Sequence, residues 1–226
     1  MSEKRTDELK KEFVKEVQAA ARHRFAVEVF ADMVRAMAIA IESPLTFGER
    51  HEQLEAEYEQ IRGRYDADEF AHFPRAFGIV MQALELRRED FLGYALEHLG
   101  ASNTRNGQFL TPVCVSRFMA KVNCSKAPDD YKPGQIVKIT DPACGSSVLL
   151  IEGAEALHQA GVRADDLLVI AGDVDSRACD ISYVQLSLLG YAAIVQHMDA
   201  LAQKRYAPDR FTPGYFLYSM PMRHDV

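Results

Sequence analysis

The chain has 226 residues, of which 48% are hydrophobic and 26% are charged, and its formal net charge is -7. This composition supplies both a core and a charged surface, which excludes a disordered chain, and the acidic balance excludes an indiscriminate polycation. The length exceeds one minimal domain and falls short of two full-sized ones, so we expect one compact unit with an extension.

The cysteines and the amino-terminal residues bear on the cellular setting. No C-x-x-C pair is formed by Cys114, Cys124, Cys144 or Cys179, so neither a disulfide framework nor a zinc ribbon is indicated, and we expect no metal. The first residues, MSEKRTDELKKEF, are charged where a signal peptide needs an apolar stretch, and no apolar run reaches about 18 residues. We therefore expect a cytoplasmic protein that does not bind a membrane.

Residues 1–100 are predicted to form a helical region. Apolar residues recur at helical spacing over 3–41, which predicts one long helix or two joined ones, and again over 49–64, 70–88 and 91–99. Gly100 follows the last of these stretches, and glycine commonly ends a helix.

Residues 101–226 show a different pattern. Pro112 can begin a helix, and beyond it short apolar runs at 136–140, 167–174, 192–197 and 215–219 alternate with helical stretches at 147–160 and 177–189. Strands separated by helices predict a parallel sheet with crossover helices, which is an α/β fold. We therefore expect a helical region over 1–100 and an α/β domain over 101–226.

The segment IVKITDPACGSSVLL is the most informative part of the chain. Its strand ends at Asp141 and leads through a tight turn of small residues into a helix, so a ligand can lie against backbone N–H groups and the helix amino terminus. It is not a P-loop, because no Gly-Lys-Ser/Thr follows, and it makes a poor dinucleotide fingerprint. The alternative is that Ser146 or Ser147 only caps the next helix.

Three consecutive predicted strands end in acidic residues. Asp141 ends the first, Asp173 and Asp175 end the second, and Asp199 ends the third. The carboxyl ends of parallel strands meet at one edge of the sheet, where ligands bind in this architecture and a carboxylate can accept ribose hydroxyls. Solvated loop acids or helix caps are the alternative for Asp175 and Asp199.

Five segments between residues 90 and 199 follow one another in a specific order: DFLGYALEHLG, NGQFLTPVCVSRFM, DPACGSSVLL, GDVD and HMDAL. Together they resemble the S-adenosylmethionine-dependent N6-adenine DNA methyltransferases, specifically the modification subunits of type I restriction systems. The resemblance implies a Rossmann-like methyltransferase parallel sheet, truncated to about four strands and preceded by the helical region. It also implies S-adenosylmethionine as the cofactor and DNA as a partner.

The resemblance further implies a cofactor site made of three groups of residues. One group flanks the methionine moiety, one forms the floor under the cofactor, and one places acids at its ribose and adenine. In chain order these are Phe109, Thr111 and Pro112; Asp141, Cys144, Gly145 and Ser146; and Asp173 with Asp175 for the ribose and Asp199 for the adenine amino group. Ser147 stands where the family has a glycine and adds a side chain close to the cofactor.

The family's catalytic motif, Asn-Pro-Pro followed by Phe or Tyr, has a degenerate counterpart in Ser219, Met220, Pro221 and Met222. Ser219 and the backbone carbonyl of Met220 would accept hydrogen bonds from the adenine amino group, and Met222 offers a thioether where the family has a ring that stacks on the flipped base. The alternative is an ordinary strand end with no catalytic role.

Partners are expected at two places. The predicted fourth strand, at 215–219, would be an uncovered aromatic edge, so we expect the amino-terminal helices or a partner chain to cover it, most simply a second copy related by a two-fold axis. DNA phosphates would be contacted by basic residues, for which the candidates are Arg105, Arg117, Lys121, Lys126, Lys204, Arg205, Arg210 and Arg223.

Two classes of function follow. The first is an adenine-N6 DNA methyltransferase of reduced size that acts most easily on single-stranded or distorted DNA, because unstacking a base then costs less. The second is a catalytically inactive relative that keeps the cofactor fold and acts as a DNA- or protein-binding module. Methylation of RNA, protein or a small molecule shares the same cofactor half and stays open.

Overall fold

The computed structural model describes residues 2–100 and 111–218. These residues divide into two compact units: the first comprises 2–87 and 91–100, and the second comprises 88–90 and 111–218. The three-residue segment 88–90 therefore belongs to the second unit although both of its chain neighbours belong to the first. The predicted domain boundary between residues 100 and 101 adjoins residues outside the described ranges and stays a prediction.

The first unit is helical, as predicted. Its helices are α1 (Ser2–Ala20), α2 (Ala26–Glu42), α3 (Glu49–Arg62), α4 (Ala67–Phe70), α5 (His72–Leu86) and α6 (Phe91–His98), and a short 3-10 turn (Ser43–Leu45) follows α2. The sequence left open whether 3–41 is one helix or two, and the structure shows two, separated by a turn at 21–25.

The core of the first unit forms around α1, which packs on α2, α5 and α6. The Phe13 ring lies nearly perpendicular to two other rings, Phe30 at 6.1 Å and Phe91 at 5.6 Å between centroids. Such edge-to-face pairs are favourable beyond their buried area because the positive ring edge meets a negative ring face.

The second unit contains α7 (Val113–Asn123), β1 (Val137–Asp141), α8 (Val148–Gln159), β2 (Leu167–Asp173), α9 (Ser176–Leu188) and β3 (Ala192–Asp199). The three strands pair in parallel in the order β1-β2-β3, which confirms the first three predicted strands and the α/β class. Leu167, Leu168 and Val169 of the central strand are buried, as expected for a strand covered on both faces.

After β3 the chain departs from the expected parallel sheet. Two strands of two residues each, β4 (Lys204–Arg205) and β5 (Arg210–Phe211), pair antiparallel with β3, so the sheet of the described residues is mixed. The prediction of a fourth strand at 215–219 is wrong, because this stretch enters a short helix, α10 (Pro213–Leu217).

Three consecutive residues explain why a helix forms at this place. The buried Thr212 hydroxyl accepts a hydrogen bond from the Ala193 amide at 2.8 Å and donates to the Tyr191 carbonyl at 2.7 Å, which ends strand pairing. Pro213 then occupies the first helical turn, for which its fixed φ is suited. A Cβ on Gly214 would lie 2.6 Å from the Tyr191 carbonyl oxygen, so glycine is required for this close approach.

The aromatic residues of α10 therefore pack on the sheet instead of extending it. Tyr215 is buried against Leu168, Ala192 and Ile194. The uncovered strand that we expected a partner to shield is absent from the described residues. Among those residues β1 is one outer strand of the sheet and pairs only with β2, and the short strands β4 and β5 lie at the other edge.

The segment 88–90 is held in the second unit by Arg88. Its guanidinium pairs with Glu155 of α8, donates to the Leu189 carbonyl at 2.8 Å and lies 4.7 Å from the centre of the Tyr191 ring. Tyr191 in turn donates from its hydroxyl to Glu155. Arg88 thus connects this segment to α8 and to the chain that leads into β3.

Within the described ranges, we find no helix that combines the length and the apolar character needed to cross a membrane.

Replacing Thr212 with valine keeps the branched shape and removes the hydroxyl. We expect Thr212→Val to lower the free energy of unfolding by about 1–3 kcal/mol, because buried backbone groups of Tyr191 and Ala193 lose a hydrogen-bond partner. Urea denaturation measures the change. The matched control is Thr140→Val on the exposed face of β1, expected within about 0.5 kcal/mol of the parent, and equal effects of the two substitutions would contradict the role given to Thr212.

Candidate functional site

The turn between β1 and α8 is tied to the neighbouring strand by its backbone. The Cys144 amide donates to the Gly172 carbonyl at 2.9 Å, and the Gly145 amide donates to Oδ2 of Asp173 at 2.9 Å. Asp141, at the end of β1, accepts from the Ala143 amide at 3.0 Å and so opens the turn. The structure thereby brings together Asp141, Cys144, Gly145 and Asp173 at the carboxyl ends of β1 and β2, and the cofactor contacts implied for them stay a prediction.

Two residues of the turn adopt left-handed backbone conformations. Gly145 has φ +54°, and a Cβ at this position would meet no atom within 4 Å, so open space faces the turn there. Ser147 has φ 68°, a conformation that costs a non-glycine residue roughly 1–2 kcal/mol. The requirement for a left-handed residue gives a physical reason for a glycine at this position in the family that the sequence resembles.

The Ser147 side chain points away from that open space. It is fully buried, and its Oγ donates to Oγ of Ser182 in α9 at 2.7 Å. Ser182 passes the hydrogen bond on to the Gly145 carbonyl at 3.0 Å. The side chain that we expected close to a cofactor is therefore used to attach the turn to α9.

Asp173 is the most constrained acid of the site. It is 8% exposed, and its two oxygens accept from the Gly145 amide and from the Asp175 amide, each at 2.9 Å. An ionised carboxylate has about four acceptor positions, so roughly half of its capacity remains. Asp173 can therefore hold the turn and also accept donors from a ligand.

Asp175 makes the contacts of a helix cap. Its carboxylate accepts from the Arg177 amide at 2.9 Å at the start of α9 and pairs with the Arg177 guanidinium at 2.8 Å. A helix cap is the alternative role that the sequence left open for Asp175, and these contacts fit that role. The ribose contact implied for Asp175 stays a prediction.

Asp199 lies further along the same edge. Strand register pairs Asp173 with His197, two residues before Asp199. Nε2 of His197 lies 3.1 Å from the Val174 carbonyl, which can only accept, so this nitrogen carries the proton. The Asp199 carboxylate accepts from the Ala202 amide at 2.9 Å and is partly exposed.

Sequence reasoning missed Val174. It lies between Asp173 and Asp175, at the carboxyl edge of the sheet, and 58% of it is exposed. The signal was present, because an apolar residue directly after a buried strand has no core to enter. An exposed apolar side chain beside a carboxylate is suited to the flat face of a nucleobase.

Of the remaining predicted site residues, Ser146 is buried in the turn, Thr111 and Pro112 directly precede α7, and the others lie outside the described ranges. Thr111 directly precedes Pro112, whose carbonyl accepts from the Val115 and Ser116 amides as α7 begins, and α7 packs on α8, the helix that follows the turn. Phe109 and the degenerate catalytic motif, which comprises Ser219, Met220, Pro221 and Met222, lie outside the described residues.

The two cysteines beside the site are not nucleophiles. Cys144 and Cys179 are buried, and burial raises the pKa of each thiol to about 12, so both are neutral near pH 7. In the described part of the chain no group of three or more His, Cys, Asp or Glu side chains is placed to hold a metal ion.

Of the arginines proposed for DNA phosphates, the three that the structure describes pair with acids, and Arg105 and Arg223 lie outside the described residues. Arg117 pairs with Glu152 at 3.1 Å, and Arg205 pairs with Asp209. Arg210, which is largely buried, lies 2.6 Å from Asp180 and over the Tyr183 ring. The lysines proposed for the same task are exposed; they are Lys121, Lys126 and Lys204.

Comparison with known proteins gives one match. Residues 88–210, more than half of the chain, match the family model of the N-6 DNA methylases. The match begins at the segment 88–90 that the fold assigns to the second unit and ends in β5. Neither the curated proteins nor the solved structures yield a match.

Two substitutions at Ser147 separate strain from hydrogen bonding. Ser147→Ala keeps the left-handed strain and loses the bond to Ser182, so we expect the free energy of unfolding to fall by about 1–3 kcal/mol. Ser147→Gly loses the same bond but relieves the strain, so we expect it to be more stable than Ser147→Ala by about 1 kcal/mol. Chemical denaturation measures both, with the exposed Ser176→Ala as control; an alanine variant at least as stable as the glycine variant would contradict the strain.

Thiol alkylation tests the burial of the cysteines. In the folded protein at pH 8 we expect iodoacetamide to modify the exposed Cys114 and to leave Cys144 and Cys179 unmodified, because at a pKa of about 12 almost no thiolate is present. At about pH 9.5 the buried pair should still be largely unmodified, because a pKa of about 12 leaves less than about 1% of each thiol ionised. Peptide mass spectrometry reads out each site, and unfolding in guanidinium should equalise them. Rapid modification of Cys144 in the folded protein would show that the turn is open.

Proposed function

Because the chain belongs to the N-6 DNA methylase family, we propose that it transfers a methyl group from S-adenosylmethionine to the N6 amino group of adenine in DNA. The observation that carries the proposal is the hydrogen bond from the Gly145 amide to Asp173. It joins a small-residue turn after one strand to a buried carboxylate at the end of the next, the arrangement in which α/β sheets bind nucleotides.

The residues present fit this cofactor. S-adenosylmethionine supplies an electrophilic methyl group on a sulfonium sulfur, and its nucleoside part carries two ribose hydroxyls and an adenine. The acceptor capacity left on Asp173 suits the hydroxyls, and the open space facing Gly145 lets a ligand approach the turn. Val174 offers an apolar surface for the adenine, and Asp199 offers an acceptor for its amino group.

The other predicted cofactor contacts keep the roles that the resemblance implies. We propose that Asp141, Cys144 and Ser146 complete the floor through the shape they impose on the turn. The methionine end would meet the group made of Phe109, Thr111 and Pro112.

For the substrate we propose that Ser219 and the carbonyl of Met220 accept the two N–H bonds of the adenine amine and so orient its lone pair. Pro221 would hold that carbonyl in place, and Met222 would contact the base where the family has an aromatic ring. Loss of the ring removes stacking worth about 1–3 kcal/mol per base. A base that is already unstacked costs less to bind, so single-stranded or distorted DNA is the proposed substrate.

This chemistry needs no covalent nucleophile from the protein. The attacking atom belongs to the substrate amine, and the neutral buried thiols of Cys144 and Cys179 leave the described part of the site without a competing sulfur nucleophile. Exposed lysines, which include Lys121 and Lys204, are available for phosphates at a non-specific level. The likeness to type I modification subunits and a cytoplasmic location belong to the same proposal.

A second candidate is the inactive relative that binds DNA or a protein. One observation favours it besides the degenerate motif: α7 exposes an apolar stripe at helical spacing, formed by Val115, Phe118, Met119 and Val122. Exposed apolar stripes of this kind mark interaction sites, and the outer edge of β1 is unpaired among the described residues. A second copy or a partner chain is proposed to bind this side of the second unit.

The two candidates are separated by measuring cofactor binding and methyl transfer on the same preparations. We expect the protein to bind S-adenosylmethionine in calorimetry and to transfer labelled methyl to single-stranded oligonucleotides that contain adenine. Asp173→Asn should weaken cofactor binding by about tenfold or more, because it removes the charge that accepts the turn amide and the ribose hydroxyls. Ser219→Ala should leave cofactor binding unchanged and abolish transfer.

The matched control is Asp166→Asn. Asp166 is another buried carboxylate, accepting from the Tyr131 hydroxyl at 2.8 Å and the Gly134 amide at 2.9 Å, but it precedes β2 and so lies at the opposite end of that strand from Asp173. We expect it to affect stability and not cofactor binding. Binding of S-adenosylmethionine without methyl transfer to any DNA would contradict the proposed enzyme and leave the proposal of an inactive binding module. Absence of cofactor binding would contradict both proposals.

A further inference from the structure

We infer that Asp90 is a positioning residue that holds the cofactor turn in its binding shape. The inference rests on the proposed function, because it assigns to Asp90 control over the affinity for S-adenosylmethionine. Asp90 lies more than fifty residues before the turn in the chain, in the segment 88–90 that the second unit incorporates.

Three hydrogen bonds form a ring that joins Asp90 to the turn and to α9. Oγ of Ser146 donates to Oδ2 of Asp90 at 2.5 Å, and Nε2 of Gln185 donates to Oδ1 of Asp90 at 2.9 Å. Nε2 of Gln185 also donates to the Ser146 carbonyl at 2.8 Å. Asp90, Ser146 and Gln185 are 7%, 2% and 0% exposed, so water does not compete for these bonds.

This triad holds Ser146, whereas Asp173 and Ser182 hold its two neighbours, Gly145 and Ser147. Ser146 lies between two left-handed residues, Gly145 and Ser147, and both its hydroxyl and its carbonyl are held. Because the peptide planes of a tight turn are coupled, holding Ser146 sets the direction of the amides on either side. Both amides are themselves bonded within the protein, the Gly145 amide to Asp173 at 2.9 Å and the Ser147 amide to the Cys144 carbonyl at 2.7 Å, so the triad and these two bonds together fix the shape of the turn that a ligand would meet.

Asp90 is itself held from the other side. Arg88, two residues earlier, bonds to Glu155 and to the Leu189 carbonyl, so the backbone of 88–90 is attached to α8 and to the end of α9 without the help of the turn. The Asp90 carboxylate that bonds to Ser146 is therefore carried by a backbone that is fixed in place. A hydrogen-bond acceptor on a fixed backbone keeps the turn in one shape, whereas an acceptor on a mobile backbone would move together with the turn.

The choice of a carboxylate at a buried position also points to positioning. Burying a charge is costly unless its bonds are strong, and an apolar side chain would fill the space at lower cost. Asp90 accepts hydrogen bonds from Ser146 of the turn and from Gln185, which also bonds that turn. Bonds to a carboxylate are about twice as strong as neutral ones, which suits a device that must hold a turn still.

The test compares Asp90→Asn, Ser146→Ala, the double variant and the control Asp166→Asn. Calorimetry gives the dissociation constant for S-adenosylmethionine, and hydrogen exchange by mass spectrometry gives the protection of the turn peptide in the cofactor-free protein. We expect each single variant to raise the dissociation constant on the order of tenfold and to speed exchange at the turn. The double variant should bind no more weakly than the weaker single variant, because both changes remove the same bond.

Asp166→Asn distinguishes positioning from general stability. It should lower the unfolding midpoint in urea as Asp90→Asn does, while leaving cofactor affinity and turn exchange at parent values. If Asp90→Asn binds S-adenosylmethionine as tightly as the parent and its turn exchanges hydrogen at the parent rate, the inference is overturned. Cofactor binding by the parent would in that case leave the proposed function in place. If the parent binds no S-adenosylmethionine, the proposed function fails instead, and the exchange of the turn alone then decides whether Asp90 positions it.

Discussion

The candidate site depends on the Asp173 carboxylate at the end of the central strand. β2 is buried along its length, so the position of its last residue is set by the core, and that residue accepts the Gly145 amide of the neighbouring turn and the Asp175 amide of its own chain. The buried Asp173 carboxylate thus sets the distance between the turn after β1 and the loop after β2. Everything that a nucleotide could touch at this edge is placed relative to it.

Helix α9 gives the turn its second support, and this explains the unusual character of that helix. Its buried face carries Ser182 and Gln185 where a crossover helix would ordinarily bury aliphatic side chains. Ser182 bonds to Ser147 and Gly145, and Gln185 bonds to Ser146 and Asp90. Buried polar groups are tolerated when they are fully bonded, and here their partners are the backbone and side chains of the turn. The free-energy cost of burying these polar side chains therefore falls at the place where α9 holds the strained turn between β1 and α8.

The structure also changes what borders the sheet. After β3 the chain returns as two short antiparallel strands and a helix, held by the Thr212 hydroxyl and the Arg210–Asp180 pair, so this side of the sheet is covered by the chain itself. Among the described residues β1 is an edge strand that pairs only with β2, and α7 of the same unit exposes an apolar stripe. These two features are where a partner would be sought, in place of the aromatic fourth strand expected from 215–219.

Local pattern was enough to predict much of this protein. Helical spacing predicted the amino-terminal helices, alternating runs predicted β1, β2 and β3, and the strand-end acids predicted that Asp141 and Asp173 lie at one edge of the sheet, because these features depend on near neighbours and on the geometry of parallel strands. Only the tertiary structure decided that the run at 215–219 enters a helix, since its apolar residues satisfy either period and the buried backbone of Tyr191 selects one. Only the tertiary structure turned Ser147 toward Ser182 and brought Asp90 to the turn. Those contacts join residues 35 and 56 positions apart, and no spacing in a sequence encodes them.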